Sequence, residues 1–429
     1  MTISQQLVIF IKKKDVNKLS NYGEKIVGSE IIKISQVIKA KQAEGKSILN
    51  YTIGDFDSKL NPIPVLLKEK INKYYNEDYT NYPLSAGEMI LRNRVSEHLK
   101  RKHNIDYSSS EILVGAGVRP LIYTIFKTLV DKGDMVVYPV PSWNNNHYSF
   151  LHDALKVEIE CKPENNFFFT KDDLIPYIKQ ATLICICTPQ NPTGCVMDKD
   201  VLKEICDMIV EENNKRKDIG KKPCYLFFDQ IYSELIYDVD YVHPLVLNPG
   251  LKDYMVCCDG ISKTLCATGV RVGWAFGSER IIKQMTEIFS HIGAWAPKAE
   301  QTAVASLLEN DEYYDFFIGA KTEDYKEITG SIYNTFQFLK NDGYDVDCIK
   351  PQGGIYLSIR IGYSSKFNTM EEFLDFIIDK CGLAIVPFKF FGSKENTDWF
   401  RLSIGYVDIK ELPQVMKVIG ETITTLSSR

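Results

Sequence analysis

A lysine just beyond one strand-like apolar run and a carboxylate at the tip of another are the residues of this chain best placed to do chemistry. Lys263 follows the run 255–258 and the small-residue turn Asp259-Gly260-Ile261-Ser262. In such a turn a lysine can be buried, lose its proton and attack a carbonyl carbon, although most lysines are simply solvated. Asp229 closes the run 225–228. There it can keep the ring nitrogen of an aromatic cofactor protonated and so make the ring an electron sink; taken alone, it reads more simply as the cap of the next helix. Tyr232 shares a helical face with Asp229 and can hydrogen-bond a ring hydroxyl, an oxygen that Asn191 can also reach.

Other turns at predicted strand ends add to this set. GAGVRP (115–120) is a glycine turn with Pro120 expected at the first helical position, so that the amides of Val118 and Arg119 face an anion with the helix dipole behind them. Alone it is an ordinary strand-to-helix turn. Arg271, between two glycines in TGVRVG (268–273), can bring a fixed positive charge to the same anion; alone it would be a surface charge. Trp143 of PSW (141–143) can lie flat on an aromatic ring, though most tryptophans are core. TPQNPTG (188–194) is by itself a common type of turn. What carries weight is the succession of these turns at consecutive strand ends.

Ligands of open α/β sheets bind beyond the carboxyl ends of the strands, so a sheet must hold these residues. Between about residues 64 and 290, short β-branched or aromatic runs (112–114, 135–138, 182–187, 225–228, 255–258 and 272–276) alternate with helical segments. That pattern predicts an α/β fold with a mostly parallel sheet and helices on both faces. After Asp198, a candidate cap, Val201, Leu202, Ile205 and Ile209 form an apolar face opposite Lys203, Glu204 and Asp207. Ile34, Val37, Ile38 and the stem of Lys41 mark an amphipathic helix over 30–42 that Gly45 stops. Beyond about 330 a helix, a strand at 355–359, a helix at 370–381 and strands at 384–387 and 400–404 predict a smaller α+β domain. The expected division is an N-terminal extension (1–28), the first part of the small domain (29–63), the large domain (64–330) and the rest of the small domain (331–429).

With 429 residues, 45% hydrophobic and 25% charged, the chain can build such a two-domain core. Its net charge of −5 and lack of basic runs interleaved with aromatics argue against nucleic acid as a partner. Eleven cysteines without metal or disulfide spacing read as reduced packing residues. No apolar stretch is long enough for a membrane, and the run 7–11 precedes Lys12, Lys13 and Lys14, the wrong order for a signal peptide; a cytoplasmic protein is expected.

Over roughly residues 29–425 the chain resembles the class I and II aminotransferases, the fold type I pyridoxal-phosphate enzymes. The resemblance is carried by NPTG (191–194), DQIY (229–232) and SK with TGVRVGW (262–274), supported by YPLSAG with LR (82–92), PSW (141–143) and WFRLS (399–403). It implies a Schiff base of pyridoxal 5'-phosphate on Lys263, Asp229 on the pyridinium nitrogen, and Tyr232 with Asn191 on the ring 3-oxygen. Arg271 and the amides of Val118 and Arg119 would hold the phosphate, and Trp143 would cover the ring. Arg401, as a bidentate fork, and Gly54 would hold the substrate α-carboxylate. Tyr82 would reach the phosphate of a neighbouring subunit, which makes the enzyme a homodimer with sites at the interface.

Gly260, where many members have a serine, resembles the bacterial aspartate aminotransferase branch, in part of which a lysine matching Arg119 pairs with the distal carboxylate of acidic substrates. The expected activity is transfer of an amino group between aspartate or glutamate and a 2-oxo acid such as 2-oxoglutarate. The chain departs from the family pattern in Gly54-Asp55-Phe56-Asp57, which lacks a proline, in Val270 for a tryptophan, and in Gly293 and Ala294 where relatives carry hydroxyls. Trp295 is expected to narrow the pocket, which leaves an aromatic amino-acid substrate as an alternative. Others are a β-eliminating C–S lyase on the same scaffold and a non-catalytic regulator that retains the fold.

Overall fold

The computed structural model describes residues 19–28, 30–395 and 397–428; the run 7–11 and the lysines after it lie outside them. Seven strands form the main sheet, in the order Ile112–Gly115, Gly273–Gly277, Met255–Gly260, Tyr225–Asp229, Ala181–Cys187, Met135–Val140 and Leu155–Glu160. All pair in parallel except Gly273–Gly277, which runs antiparallel to both of its neighbours. The near-continuous apolar runs follow from burial on both faces. Leu183, Cys185, Phe227, Val256 and Cys258 pack with the helices Val118–Leu129 and Glu279–Ile292. Their alternating neighbours Ile184, Ile186, Leu226, Phe228, Met255 and Cys257 pack on the opposite face, with the helices Met89–His103, Lys199–Asp218 and Lys298–Leu308. Sequence reading missed the edge strand Leu155–Glu160, whose alternating Lys156, Glu158 and Glu160 give no apolar run.

A second, antiparallel sheet orders Val386–Pro387, Trp399–Ser403, Tyr356–Ile361 and Val346–Cys348. The single strand expected over 384–387 is two: Leu383–Ala384 pairs with Leu49–Asn50, and Val386–Pro387 turns to the antiparallel sheet. Pro387 sits on an edge strand, where its missing amide proton breaks no ladder. The 31-residue helix Asp311–Asn341 runs without a break across residues 330 and 331. NPTG is where the second sheet meets the first. The carbonyl of Gly194 accepts the amides of Gln352 and Gly353, both at 3.1 Å. A Cβ on Gly194, which sits at φ +71°, would collide with the Tyr356 carbonyl.

Three local expectations change. The helix at the GAGVRP turn starts at Val118 with Gly117 as its cap, so Pro120 occupies the third helical position; its absent amide proton is still one that no intrahelical carbonyl would use. In the helix Glu30–Ala43, Ile38 is buried but Val37 faces outward, while Lys41 lies along the fold to reach Asp379 at 2.6 Å. Residues 21–25, inside the expected extension, form a short helix capped by Ser20.

Asp198 caps Lys199–Asp218 by accepting the amides of Asp200 and Val201, at 2.8 and 3.2 Å, and Leu202, Ile205 and Ile209 are buried. Asp198→Ala should therefore destabilise the fold by about 1 kcal/mol. A lower urea midpoint at constant slope is the expected reading, and an unchanged midpoint would show that the cap contributes nothing.

Candidate active site

The carboxyl ends of the parallel strands open into a cavity of about 500 Å³. Ten of the eleven residues singled out above line it: Gly54, Val118, Arg119, Trp143, Asn191, Asp229, Tyr232, Lys263, Arg271 and Arg401. Tyr82 does not. It is 83% exposed, and its ring meets that of Trp295 edge-on at 5.6 Å. Trp295 likewise does not line this cavity. The loop after the helix Glu279–Ile292 carries it toward Tyr82 instead.

Asp229 ends its strand level with Cys258 on one neighbouring strand and Cys187 on the other. Burial pushes its carboxyl up to about 6, with the Ile231 amide at 3.2 Å and the Cys258 thiol acting in the opposite direction. No cationic side chain pairs with it among the described residues. Lys263, in the short helix Ile261–Thr264, donates from Nζ to the carbonyl of Gly54 at 2.6 Å and stands 5.6 Å from the centre of the Phe56 ring. The Gly54–Asp57 stretch, divergent in sequence, thus holds the amine.

Arg401 is 1% exposed. Its guanidinium lies between the rings of Tyr356 and Phe391, 4.7 and 4.9 Å from their centres. Nη1 donates to Asn191 at 3.0 Å, Nη2 to the Thr52 carbonyl at 2.7 Å, and Nε has no partner among the described residues. Burial draws its pKa down. Tyr232 and Tyr356 share a hydroxyl contact of 3.0 Å, and burial followed by that neighbour raises Tyr232 well above the ordinary range. A Cβ on Gly54 would stand 2.7 Å from the Tyr356 hydroxyl, so only glycine fits there.

At the GAGVRP end the first amides of a 12-residue helix, Val118 and Arg119, point outward without intrahelical partners. Arg271 adopts φ +62° and fixes its guanidinium on the carbonyls of Thr268 (2.6 Å) and Ala116 (2.8 Å). Gly117, at φ +78°, is packed against that guanidinium, which a Cβ would displace. Arg119 lies 5.4 Å from the centre of the Trp143 ring and makes no ion pair among the described residues. Sequence reading missed Tyr356. It sat in an apolar strand run, and its only signal was the Gly353-Gly354 pair that brings the strand against Tyr232.

Residues 46–419 match the sequence model of the aminotransferase class I and II family. The chain belongs to that family. This aminotransferase is 29% identical to aspartate aminotransferase of Bacillus subtilis over 88% of its own length and 93% of that protein's. It is 26% identical to a probable aspartate/prephenate aminotransferase of Rickettsia conorii, over 92% and 95%. Its fold matches that of Thermus thermophilus aspartate aminotransferase, solved with maleate, with a TM-score of 0.84 at 22% identity over 94% and 99% of the two chains. The family uses pyridoxal phosphate, and the aminotransferase is a transaminase of the fold type I class.

Because Asp229 has a folded pKa near 6 against an ordinary 3.8, the folded protein takes up a proton that the unfolded chain does not between those values. Stability from this group is present at low pH and lost as pH rises through 6. Asp229→Asn should stabilise the cofactor-free protein at pH 8 by roughly 1–3 kcal/mol, and by progressively less as the pH falls below 6. Equal gains in thermal midpoint at pH 8 and pH 5 would contradict this.

Proposed function

We propose that this aminotransferase moves an amino group between aspartate or glutamate and a 2-oxo acid such as 2-oxoglutarate in a ping-pong cycle. The residues present fit pyridoxal phosphate. A glycine-opened helix start with a fixed arginine suits the phosphate, a carboxylate without a cation suits a protonated ring nitrogen, and an amine lies in the same cavity. Lys263 would hold the cofactor, Asp229 its ring nitrogen, Tyr232 and Asn191 its 3-oxygen, Arg271 with the Val118 and Arg119 amides its phosphate, and Trp143 would cover its face. When bound, the cofactor supplies the carbonyl that accepts the amino group and the ring that withdraws electrons.

The chain's own part is orientation and proton movement. Arg401 meets the α-carboxylate as a fork whose position is already fixed by Thr52 and Asn191. The substrate Cα–H is thereby turned toward Lys263 Nζ, which takes the proton as a general base. Acidic substrates are favoured by one observation above others: Arg119 is a cavity cation without a carboxylate partner among the described residues. The names of the Bacillus and Rickettsia relatives agree with this preference.

The same reading extends to assembly. Tyr82 stands among the exposed apolar side chains Leu84, Met89 and Ile90, a surface suited to a second copy whose phosphate Tyr82 would reach. Eleven cysteines, nine of them buried, suit a reducing cytoplasm, and among the described residues no helix is long and apolar enough to cross a membrane. The domain division at 64 and 330 belongs to this proposal too, with the helix Asp311–Asn341 joining the two parts.

A half-reaction screen tests the substrate. Aspartate and glutamate should bleach the visible absorbance of the bound cofactor, and Lys263→Ala should abolish both the absorbance and turnover. Arg119→Ala should lower kcat/KM for aspartate about ten- to hundredfold more than for alanine. A response to aromatic amino acids alone would reject the acidic assignment, and pyruvate with ammonia released from cysteine would mark a lyase.

A further inference from the structure

The two turns that carry Asp229 and Lys263 leave the sheet side by side, and what happens behind them is not part of the cavity. The ladder between Tyr225–Asp229 and Met255–Gly260 ends at the pair Asp229 and Cys258. One more backbone bond, from the Gln230 amide to the Cys258 carbonyl at 3.1 Å, closes it. The chain then turns away, with the Ser233 amide on the Gln230 carbonyl at 2.8 Å. Side chains alternate along a strand, so with Asp229 and Cys258 facing one side, Gln230 and Asp259 face the other. Both are buried, and Gln230 Nε2 donates to Asp259 Oδ2 at 3.0 Å. The second carboxylate oxygen, Oδ1, accepts the Gly260 amide at 2.7 Å and so orients the turn that leads into Lys263.

The neighbouring carboxylate, Glu234, is engaged elsewhere, with His98 at 2.8 Å and Tyr314 at 2.9 Å. Gln230 is therefore the side-chain donor to Asp259 among the described residues. We propose that Gln230 and Asp259 are positioning residues: their hydrogen bond continues the ladder past its last backbone rung and fixes the stagger between Asp229 and Lys263, and with it the seat of the cofactor ring. This rests on the cofactor reading above, since a tie between two turns positions a ring only if both turns hold it.

The Gln230 amide donates to the Asp259 carboxyl, whose proton affinity burial raises; two carboxyl groups there repel once both are ionised and otherwise share one proton. At a pH high enough to ionise both, Gln230→Glu should weaken pyridoxal phosphate binding to the cofactor-free protein at least about tenfold, the scale of a lost buried hydrogen bond, and diminish the visible circular dichroism of the bound cofactor. Adding Asp259→Asn restores one amide and one carboxylate in exchanged places, and should return both readings close to those of the parent. If Gln230→Glu does not fold, Gln230→Leu removes the donor without adding a charge and should show the same weakening. A variant that lowers the thermal midpoint while leaving affinity and dichroism unmoved would make the pair merely structural and overturn the proposal, as would an exchanged pair no better than Gln230→Glu alone. The parent reading has its own control: borohydride with pyridoxal phosphate should fix a pyridoxyl group on Lys263. Its absence would reject both readings, whereas a modified parent with an unmoved Gln230→Glu rejects the tie alone.

Discussion

A carboxylate taken out of water without a cation to meet it sets the terms for this site. Asp229 and Glu234 lie five residues apart and both are enclosed, yet they end in opposite states. Burial alone would raise Glu234, but His98 at 2.8 Å, Lys102 at 3.6 Å and His103 outweigh it and hold the group down at about 2. Asp229 receives one amide and a thiol, and stays near 6. The fold compensates one buried acid five residues further along the chain and leaves Asp229 without a cation. In the proposed cofactor complex a positively charged ring nitrogen would supply what is missing; in the protein alone the unpaired charge weighs on stability.

Arg401 is the complement of that carboxylate. A buried guanidinium needs compensation, and here a backbone carbonyl, an amide oxygen and two ring faces supply part of it without any acid, while Nε is left without a partner among the described residues. The cavity therefore holds an acid and a guanidinium that are not paired with each other. Glycines make the close approaches possible. Gly54 admits the Tyr356 hydroxyl, Gly117 admits Arg271, and Gly194 admits the backbone of the second sheet.

Much of this was legible in the residues because parallel sheets put their chemistry at strand ends, and strand ends show in sequence as apolar runs followed by small or polar turns. Eight residues chosen on that basis line one cavity, together with Gly54 and Arg401, which only the family resemblance singled out. What escaped were features that a linear pattern does not encode. Tyr356 reads as core from its neighbours, and only the fold turns its hydroxyl toward Tyr232. The strand Leu155–Glu160 is an edge strand with one face open to solvent, so its charged alternation reads like a loop. Trp295 has the composition of a pocket residue, but the path of its loop carries it to Tyr82 on the outer surface.

The segment from Tyr51 to Asp57 joins the two ends of the site, and its departure from the family pattern falls where the physical demand is on backbone rather than side chain. Its carbonyls take Ser403 on Tyr51, Arg401 on Thr52 and Lys263 on Gly54, while Asp55 accepts the Thr268 hydroxyl at 2.7 Å and the Asp57 amide donates to Gly405 at 3.0 Å. Three of these contacts use main-chain oxygens, which any residue presents, so the missing proline removes none of them. A glycine at 54 is the exception, because Tyr356 leaves no room for a Cβ. The position of Arg401 and the resting place of the Lys263 amine are thus set by carbonyls two residues apart on one short stretch of backbone, Thr52 for the guanidinium and Gly54 for the amine.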